Sequence, residues 1–201
     1  VAIKDGFADI AGMHIYSPRS DSYNRDLLED IGIRDIVLIR GYDREQGFIL
    51  RKGLGGLVNS FTDIVNLKLR FINRNKGSGT RALVDYLISK EAEKRGMDPD
   101  QLKASIRGYN VEVSTHESIA LAIVEGRADV GVGIRYVADE YGLDFTRIKY
   151  EHYDFLVRRA FMKSKAFKLF NRLLTEYLKN IIGEYRGYRI PDDLGEVVYE
   201  V

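Results

Sequence analysis

The chain has 201 residues, with 31 Lys and Arg against 30 Asp and Glu for a formal net charge of +1, and it has no Cys and no Trp. Zero cysteines exclude disulfides, thiolate zinc sites and thiol nucleophiles, and a near-neutral balance gives no general attraction to nucleic acid or anionic membrane. A hydrophobic fraction of 45% belongs to a globular chain, no apolar run approaches the ~18 residues of a membrane span, and no signal-peptide pattern opens the chain. The expectation is a cytoplasmic protein built as one large domain or two small lobes, and a charged fraction of 30% hints at a thermophile.

Starting on Val1 rather than Met, the chain reads as one whose upstream part was removed or whose gene begins at an unusual codon. Val1 to Gly6 resembles the last turn of a helix, with Gly6 as the left-handed stop. Ala8–Tyr16 fits a buried strand, Asp21–Ile31 a short helix closed by Gly32, and Asp35–Tyr42 and Gln46–Lys52 two separate strands. Ser60 with Asp63 caps a short helix before the strand Leu69–Asn73. Gly77–Thr80 opens a helix to Arg95, with Leu83, Val84, Leu87 and Ile88 at helical spacing and Gly96 as its stop. Asp98-Pro99 starts a further turn, a strand is expected near Ile106–Val113, and Ser114 with Glu117 reads as a capping box for a helix ending at Gly126. Ala128–Val132 is a strand, Arg135–Tyr141 a helix closed by Gly142, and Arg147–Tyr150 and Tyr153–Arg158 two more strands. The last helix, about Ser164–Ile182, carries Phe167, Phe170, Leu174, Tyr177, Leu178 and Ile181 on one stripe. The pattern is α/β throughout.

One junction occurs twice. Asp5-Gly6-Phe7-Ala8-Asp9-Ile10 is matched, 120 residues on, by Glu125-Gly126-Arg127-Ala128-Asp129-Val130. Each is an acid, a helix-stopping Gly, then Ala-Asp leading into an apolar strand. The pair is either a chance likeness of two αβ junctions or the mark of two lobes built on one plan.

The chemistry-bearing segment is Asn73-Arg74-Asn75-Lys76-Gly77-Ser78-Gly79-Thr80-Arg81, between a strand and a helix. Its glycines let the backbone approach a ligand, free N–H groups and the helix dipole favour an anion, and Ser78 and Thr80 add hydroxyls. From Lys68 to Arg81 there are five Lys and Arg and no acid. The segment reads either as an ordinary capped helix start or as an oxyanion cradle; it is neither a Walker A loop nor a dinucleotide fingerprint. Thr115 and His116 lie in a second donor cluster opening a helix, and Ser17 follows a strand end, where open α/β sheets place ligands. His14, His116 and His152 have no helical ligand spacing, so no metal site is expected. No nucleophile–base pair stands out either, so no catalytic residue is named. Arg158–Arg189 holds nine Lys and Arg and two Glu, and Pro191–Val201 four acids and no base; both read as solvated faces, and no direct nucleic-acid contact is expected.

The stretch Arg70–Arg74 through Gly77–Arg81 resembles the periplasmic-binding-protein-like domain attached to molybdopterin biosynthesis proteins and to molybdate-responsive regulators. Ala8–His14, Gln46-Gly47-Phe48, Ser114-Thr115-His116, Gly126–Gly131, Gly142–Phe145 and Glu151–Asp154 look like family segments in family order, over roughly residues 1–190. The resemblance implies a two-lobed type 2 periplasmic-binding-protein-like fold. Lobe I would be 1–45 plus 155–201, lacking its first strand and helix, and lobe II 46–154, with crossings near Arg44–Ile49 and Tyr153–Val157. It implies a molybdate or tungstate oxyanion clamped between the lobes, with no built-in cofactor, as part of molybdenum or tungsten cofactor biosynthesis. Asn73, Gly77, Ser78, Gly79, Thr80 and Arg81 would form the lobe II cradle, Thr115 and His116 a second contact, and Ser17 and Tyr153 contacts near lobe I. The partner would be a molybdopterin-biosynthesis catalytic domain or a regulator, and no membrane is expected. A binding module is favoured; the alternatives are a transferase holding a substrate phosphate in the same loop and the effector domain of a transcription regulator. Strand or helix edges of an incomplete lobe I would permit a homodimer.

Overall fold

A computed structural model describes residues 2–201, so the reading of Val1 lies outside the described residues. In chain order the elements are β1 Ile10–Met13, β2 Tyr16–Ser17, β3 Ser22–Tyr23, α1 Arg25–Ile31, β4 Ile36–Leu50, α2 Phe61–Asn66, β5 Phe71–Arg74, α3 Gly79–Lys94, α4 Pro99–Ser105, β6 Glu112–Val113, α5 His116–Val124, β7 Val130–Ile134, α6 Arg135–Glu140 and β8 Asp144–Arg158. A 3-10 turn, Arg159–Lys163, leads into α7 Lys165–Arg172, a π-helical stretch Leu173–Leu178 and α8 Lys179–Ile182, and β9 Tyr188–Arg189 and β10 Val197–Glu200 follow. The chain divides into two compact units, Val1–Arg44 with Tyr150–Val201, and Glu45–Lys149.

In the first unit β1 pairs antiparallel with β8, Ile10 opposite Val157 and Met13 opposite Asp154. β10 and β9 both pair antiparallel with β4. Alternation along the strands sorts the core onto two faces. Ile36, Leu38 and Leu156 pack with Leu28 of α1 on one side; Val37, Ile39 and Val157 pack with Phe167 and Leu174 on the other.

The second unit is also a sheet between helices, but it contains parallel pairs. β4 pairs antiparallel with β7, and β5 runs parallel to both β7 and β6. Phe48, Leu50 and Phe71 face Phe61, Val84, Ile88 and Leu102 of α2, α3 and α4. Ile49 and Ile72, one residue along, face Ile119, Ile123 and Val137 of α5 and α6. Each unit is therefore a sheet covered by helices on both faces.

The duplicated junction is real at the level of hydrogen bonds. Gly6 N–H donates to the Ile3 carbonyl and Phe7 N–H to Ala2, while Gly126 N–H donates to Ile123 and Arg127 N–H to Ala122. Both are Schellman caps, with φ of 77° at Gly6 and 71° at Gly126. The likeness extends to the acid that follows: Asp9 pairs with Arg158 and Asp129 with Arg70.

Several expected boundaries are corrected. Asp35–Tyr42 and Gln46–Lys52 are not two strands but the single strand β4, and Arg147–Tyr150 and Tyr153–Arg158 merge into β8. The polar residues that suggested breaks are buried or half-buried and partnered instead. Asp43 pairs with Arg40, Arg44 with Glu151, Glu45 with Arg135, and Gln46 bonds Thr80. Ala8–Tyr16 is cut short at Met13, and Tyr16-Ser17 forms a ribbon with Ser22-Tyr23, so α1 starts only at Arg25. Of Ile106–Val113 only Glu112 and Val113 are strand. The cap of α5 is Thr115 rather than Ser114: Ser118 N–H donates to its Oγ1 at 3.0 Å. The Ser114 carbonyl accepts from Arg74 instead, at 2.7 Å. The acidic tail also differs from a solvated run, because β10 within it adds to β4 and Asp193 approaches Arg40 at 3.5 Å.

Candidate functional site

The parallel strands of the second unit set up a site by topology. β5, β6 and β7 point the same way, so the helices that follow them, α3, α5 and α6, all begin at one edge of the sheet. Three positive helix ends and their orphan N–H groups gather there, at the carboxyl ends of the strands. The links between segments are direct. Asn75 N–H donates to the Val113 carbonyl, Arg74 Nη1 lies 3.3 and 3.2 Å from the two ring nitrogens of His116, and a Cβ on Gly133 of β7 would come within 3.1 Å of His116 Nδ1.

At the start of α3, Ser78 is the N-cap, its Oγ accepting from Arg81 N–H at 3.1 Å. The N–H groups of Gly79 and Thr80 fall in the first turn, where no intrahelical acceptor exists. Thr80 is fully buried, and its Oγ1 accepts from the buried Gln46 Nε2 at 2.8 Å. That bond occupies a lone pair and leaves the hydroxyl hydrogen to donate elsewhere. Gly77, at φ 88°, makes the turn into the cap.

Other expected residues serve the scaffold. Asn73 is buried, donates from Nδ2 to the Tyr109 carbonyl at 3.1 Å and accepts from Arg74 N–H. The Arg81 guanidinium is turned to Asp85 and Glu112, donates to the Arg74 carbonyl at 3.3 Å and lies 4.7 Å from the Tyr109 ring centre. Beside Arg81, the Glu112 carboxyl is held below its ordinary range. Thr115 caps α5, and its Oγ1 also contacts Ser118 Oγ at 2.9 Å. His116 is the first residue of α5, next to Arg74. Two contributors were not singled out from sequence. Arg74 was one basic residue among five, and Gln46 one polar residue in a strand; only the alternation of Gln46 with Gly47-Phe48 signalled an inward position.

In the first unit Ser17 bonds Asp26, which also takes Ser20 Oγ at 3.0 Å and Arg19 Nε at 3.2 Å. The Ser17 bond is the main cause that keeps the Asp26 carboxyl below its ordinary range. Tyr153 stands in a different cluster, stacked between Tyr42 and His14 at ring distances of 5.2 and 5.5 Å, with the Arg44 guanidinium 4.6 Å from its centre. A Cβ on Gly12 would meet the Tyr153 hydroxyl at 2.3 Å, so the missing side chain makes room for the ring. Behind it the fully buried Glu151 pairs with Arg44 and lies 3.3 Å from His14 Nδ1. Burial pushes the Tyr42 hydroxyl up to about 12 and lowers His152. Among the described residues no group of three or more His, Cys, Asp or Glu side chains could hold a metal ion, and no helix is long and apolar enough to cross a membrane.

Comparison with known proteins agrees with this architecture. YvgK of Bacillus subtilis strain 168, described as uncharacterized, is 30% identical over 153 residues, which is 76% of this chain and 47% of that protein. The chain thus spans about half the length of that curated relative. Among solved structures, Peb3 from Campylobacter jejuni superposes with a TM-score of 0.57 at 19% identity, covering 92% of this chain and 80% of Peb3. PEB3 with L-phospholactate bound gives a TM-score of 0.59 at 18% identity, with the same coverage. An ABC-type phosphate transport receptor from Vibrio cholerae gives 0.54 at 13% identity, covering 94% of this chain and 83% of the receptor. These likenesses are of fold. Residues 1–175 match the family described as the PBP superfamily domain, and the chain, a two-lobed periplasmic-binding-protein-like α/β fold, belongs to it.

Proposed function

We propose that the chain is an oxyanion-binding domain, with molybdate or tungstate as its ligand and a role in molybdenum or tungsten cofactor biosynthesis. The observation that carries the reading is the start of α3. Two N–H groups without intrahelical acceptors, at Gly79 and Thr80, sit beside the Thr80 hydroxyl, whose oxygen already accepts from Gln46. α5 and α6 begin at the same sheet edge. Neutral donors aimed by a helix end suit a compact dianion, and each bond to a charged acceptor is worth about 1.5–3 kcal/mol net. Two of the similar proteins have anions in their descriptions, L-phospholactate for PEB3 and phosphate for the Vibrio receptor. The choice of metal oxyanion rests on the resemblance of Arg70–Arg81 and the other ordered segments to domains of molybdopterin biosynthesis proteins.

The test is calorimetric titration of the full chain with molybdate, tungstate, sulfate and phosphate. Saturable heat with one molybdate or tungstate per chain is expected. Heat with phosphate or sulfate alone would refute the metal oxyanion and keep the anion site. Silence with all four would refute both.

A further inference from the structure

The second unit carries a cavity of about 510 Å³, lined from the start of α2, the C-terminal half of α3, β4 and β8. That volume falls within the roughly 300–1,000 Å³ of small-molecule sites. Taking about 1.5 Å of rise per residue, Lys94 at its mouth lies roughly 20 Å along α3 from Thr80, so the cavity is separate from the start of that helix. The inner lining is apolar: Phe48 and Phe61 are buried, and Leu87 and Ile148 are half-buried. The outer lining is basic, with Lys90, Lys94, Arg95 and Arg147 all exposed. Lys90 pairs with Glu93 at 3.1 Å and Arg147 with Glu45 at 3.4 Å, while Lys94 and Arg95 form no ion pair among the described residues.

We infer that this cavity binds an aromatic carboxylate, with its ring on the apolar lining and its carboxylate at Lys94 and Arg95. Three observations select that class. The other polar groups of the lining are already committed. Glu91 Oε2 and Oε1 accept from the Phe61 and Thr62 N–H groups at 2.9 and 2.8 Å, and Ser60 Oγ donates to the Asp63 carboxylate at 2.8 Å and accepts from Asp63 N–H at 3.2 Å. Asn59 Nδ2 donates to the Gly56 carbonyl at 3.3 Å. An anion is therefore offered ionic partners here rather than a cradle of N–H groups, unlike the start of α3. The lining also has two chemistries that one ligand must satisfy together. A neutral hydrocarbon would leave Lys94 and Arg95 unanswered, and an inorganic anion would leave the apolar lining wet. An amphipathic anion answers both. Finally, the rings of the lining favour an aromatic body. Phe71, Phe61 and Phe48 stand edge to face in series, with centres 5.8 Å apart at 70° and 5.3 Å apart at 73°, and a ligand ring against Phe61 and Phe48 continues that packing.

Calorimetric titration of the full chain with naphthoate, and with the neutral naphthalenemethanol as its control, tests this. One naphthoate per chain is expected, bound roughly tenfold or more tightly than the alcohol and weakening as salt is raised, because exposed cations are screened. Lys94→Glu and Arg95→Glu should each weaken naphthoate by roughly tenfold, and Lys94→Arg should stay within a few fold. Both positions are exposed and without an ion pair among the described residues, so the variants keep the fold, which equal urea midpoints verify. Lys94 is remote from the start of α3, so Lys94→Glu should leave oxyanion affinity unchanged, and the two sites stand or fall separately. No saturable heat with naphthoate, equal affinity for the alcohol, or full naphthoate affinity in both charge-reversal variants overturns the proposal.

Discussion

Thr80→Val separates the structural role of Thr80 from the ligand-binding role proposed for it. Val matches Thr in shape, so the change leaves no cavity and the cost is electrostatic. Gln46 Nε2, donating to Thr80 Oγ1 at 2.8 Å, loses its acceptor, and both residues are essentially fully buried. A stranded buried amide costs about 1–3 kcal/mol. In urea titration the midpoint should fall with little change in slope. Adding Gln46→Leu removes the stranded group, so the double variant should recover part of the loss, although each single change is destabilising. Ligand affinity responds separately. If the Thr80 hydroxyl donates to the bound oxyanion, the Val variant should bind roughly 10- to 100-fold more weakly. Thr80→Ser, which keeps both the acceptor for Gln46 and the donor, should stay within a few fold. An unfolding midpoint equal to that of the parent would refute the stability argument. Unchanged oxyanion affinity in the Val variant would remove Thr80 from the site.

Two further outcomes test how charge is allocated around that start. Arg81→Met should cost about 1–2 kcal/mol in urea unfolding, through the loss of its bonds to Asp85 and Glu112, and leave oxyanion affinity unchanged, because its guanidinium is committed to those acids. The Asp129 carboxyl is held down to about 2, chiefly by its hydrogen bond from Arg70, against an ordinary value of 3.8. A depressed carboxylate stabilises the fold above its ordinary value, and that stability drains away as pH falls through about 2. The parent should therefore lose about 1–2 kcal/mol between pH 7 and pH 2 that Asp129→Asn does not lose, after allowance for solvent screening. Equal pH profiles in urea unfolding would count against the pairing.

What could be read from the sequence was whatever short-range chemistry dictates. Gly126 announces a helix stop, and Gly6 the same Schellman-type turn, because only a residue tolerant of positive φ closes it cheaply, and Ser78 announces a cap because its hydroxyl serves a donor three residues on. What could not be read depends on partners distant in the chain. Asp43-Arg44-Glu45 read as a break between two strands until Arg40, Glu151 and Arg135 are beside them, and then they are the middle of β4. Val197–Glu200 looks like a polar tail until it pairs with β4. The choice of Thr115 over Ser114 as cap turns on Arg74, forty residues earlier in the chain, taking the Ser114 carbonyl.

The same point bears on the basic window Lys68–Arg81, which contains no acid in sequence and reads as a positive field. In the fold its acids arrive from outside it: Asp129 takes Arg70, and Asp85 with Glu112 takes Arg81. Arg74 stays at the helix starts, donating to the Ser114 carbonyl and lying against His116, where its charge adds to the positive ends of α3 and α5. Lys68 and Lys76 stay exposed, whereas the charges of Arg70 and Arg81 are paired with acids, so on the proposed reading the donors offered to an anion at the start of α3 are backbone N–H groups and hydroxyls. Donors of this kind discriminate by size and geometry rather than by net charge. A ligand that binds through them loses little affinity as salt is raised, whereas one drawn by a patch of unpaired lysines and arginines would lose much more.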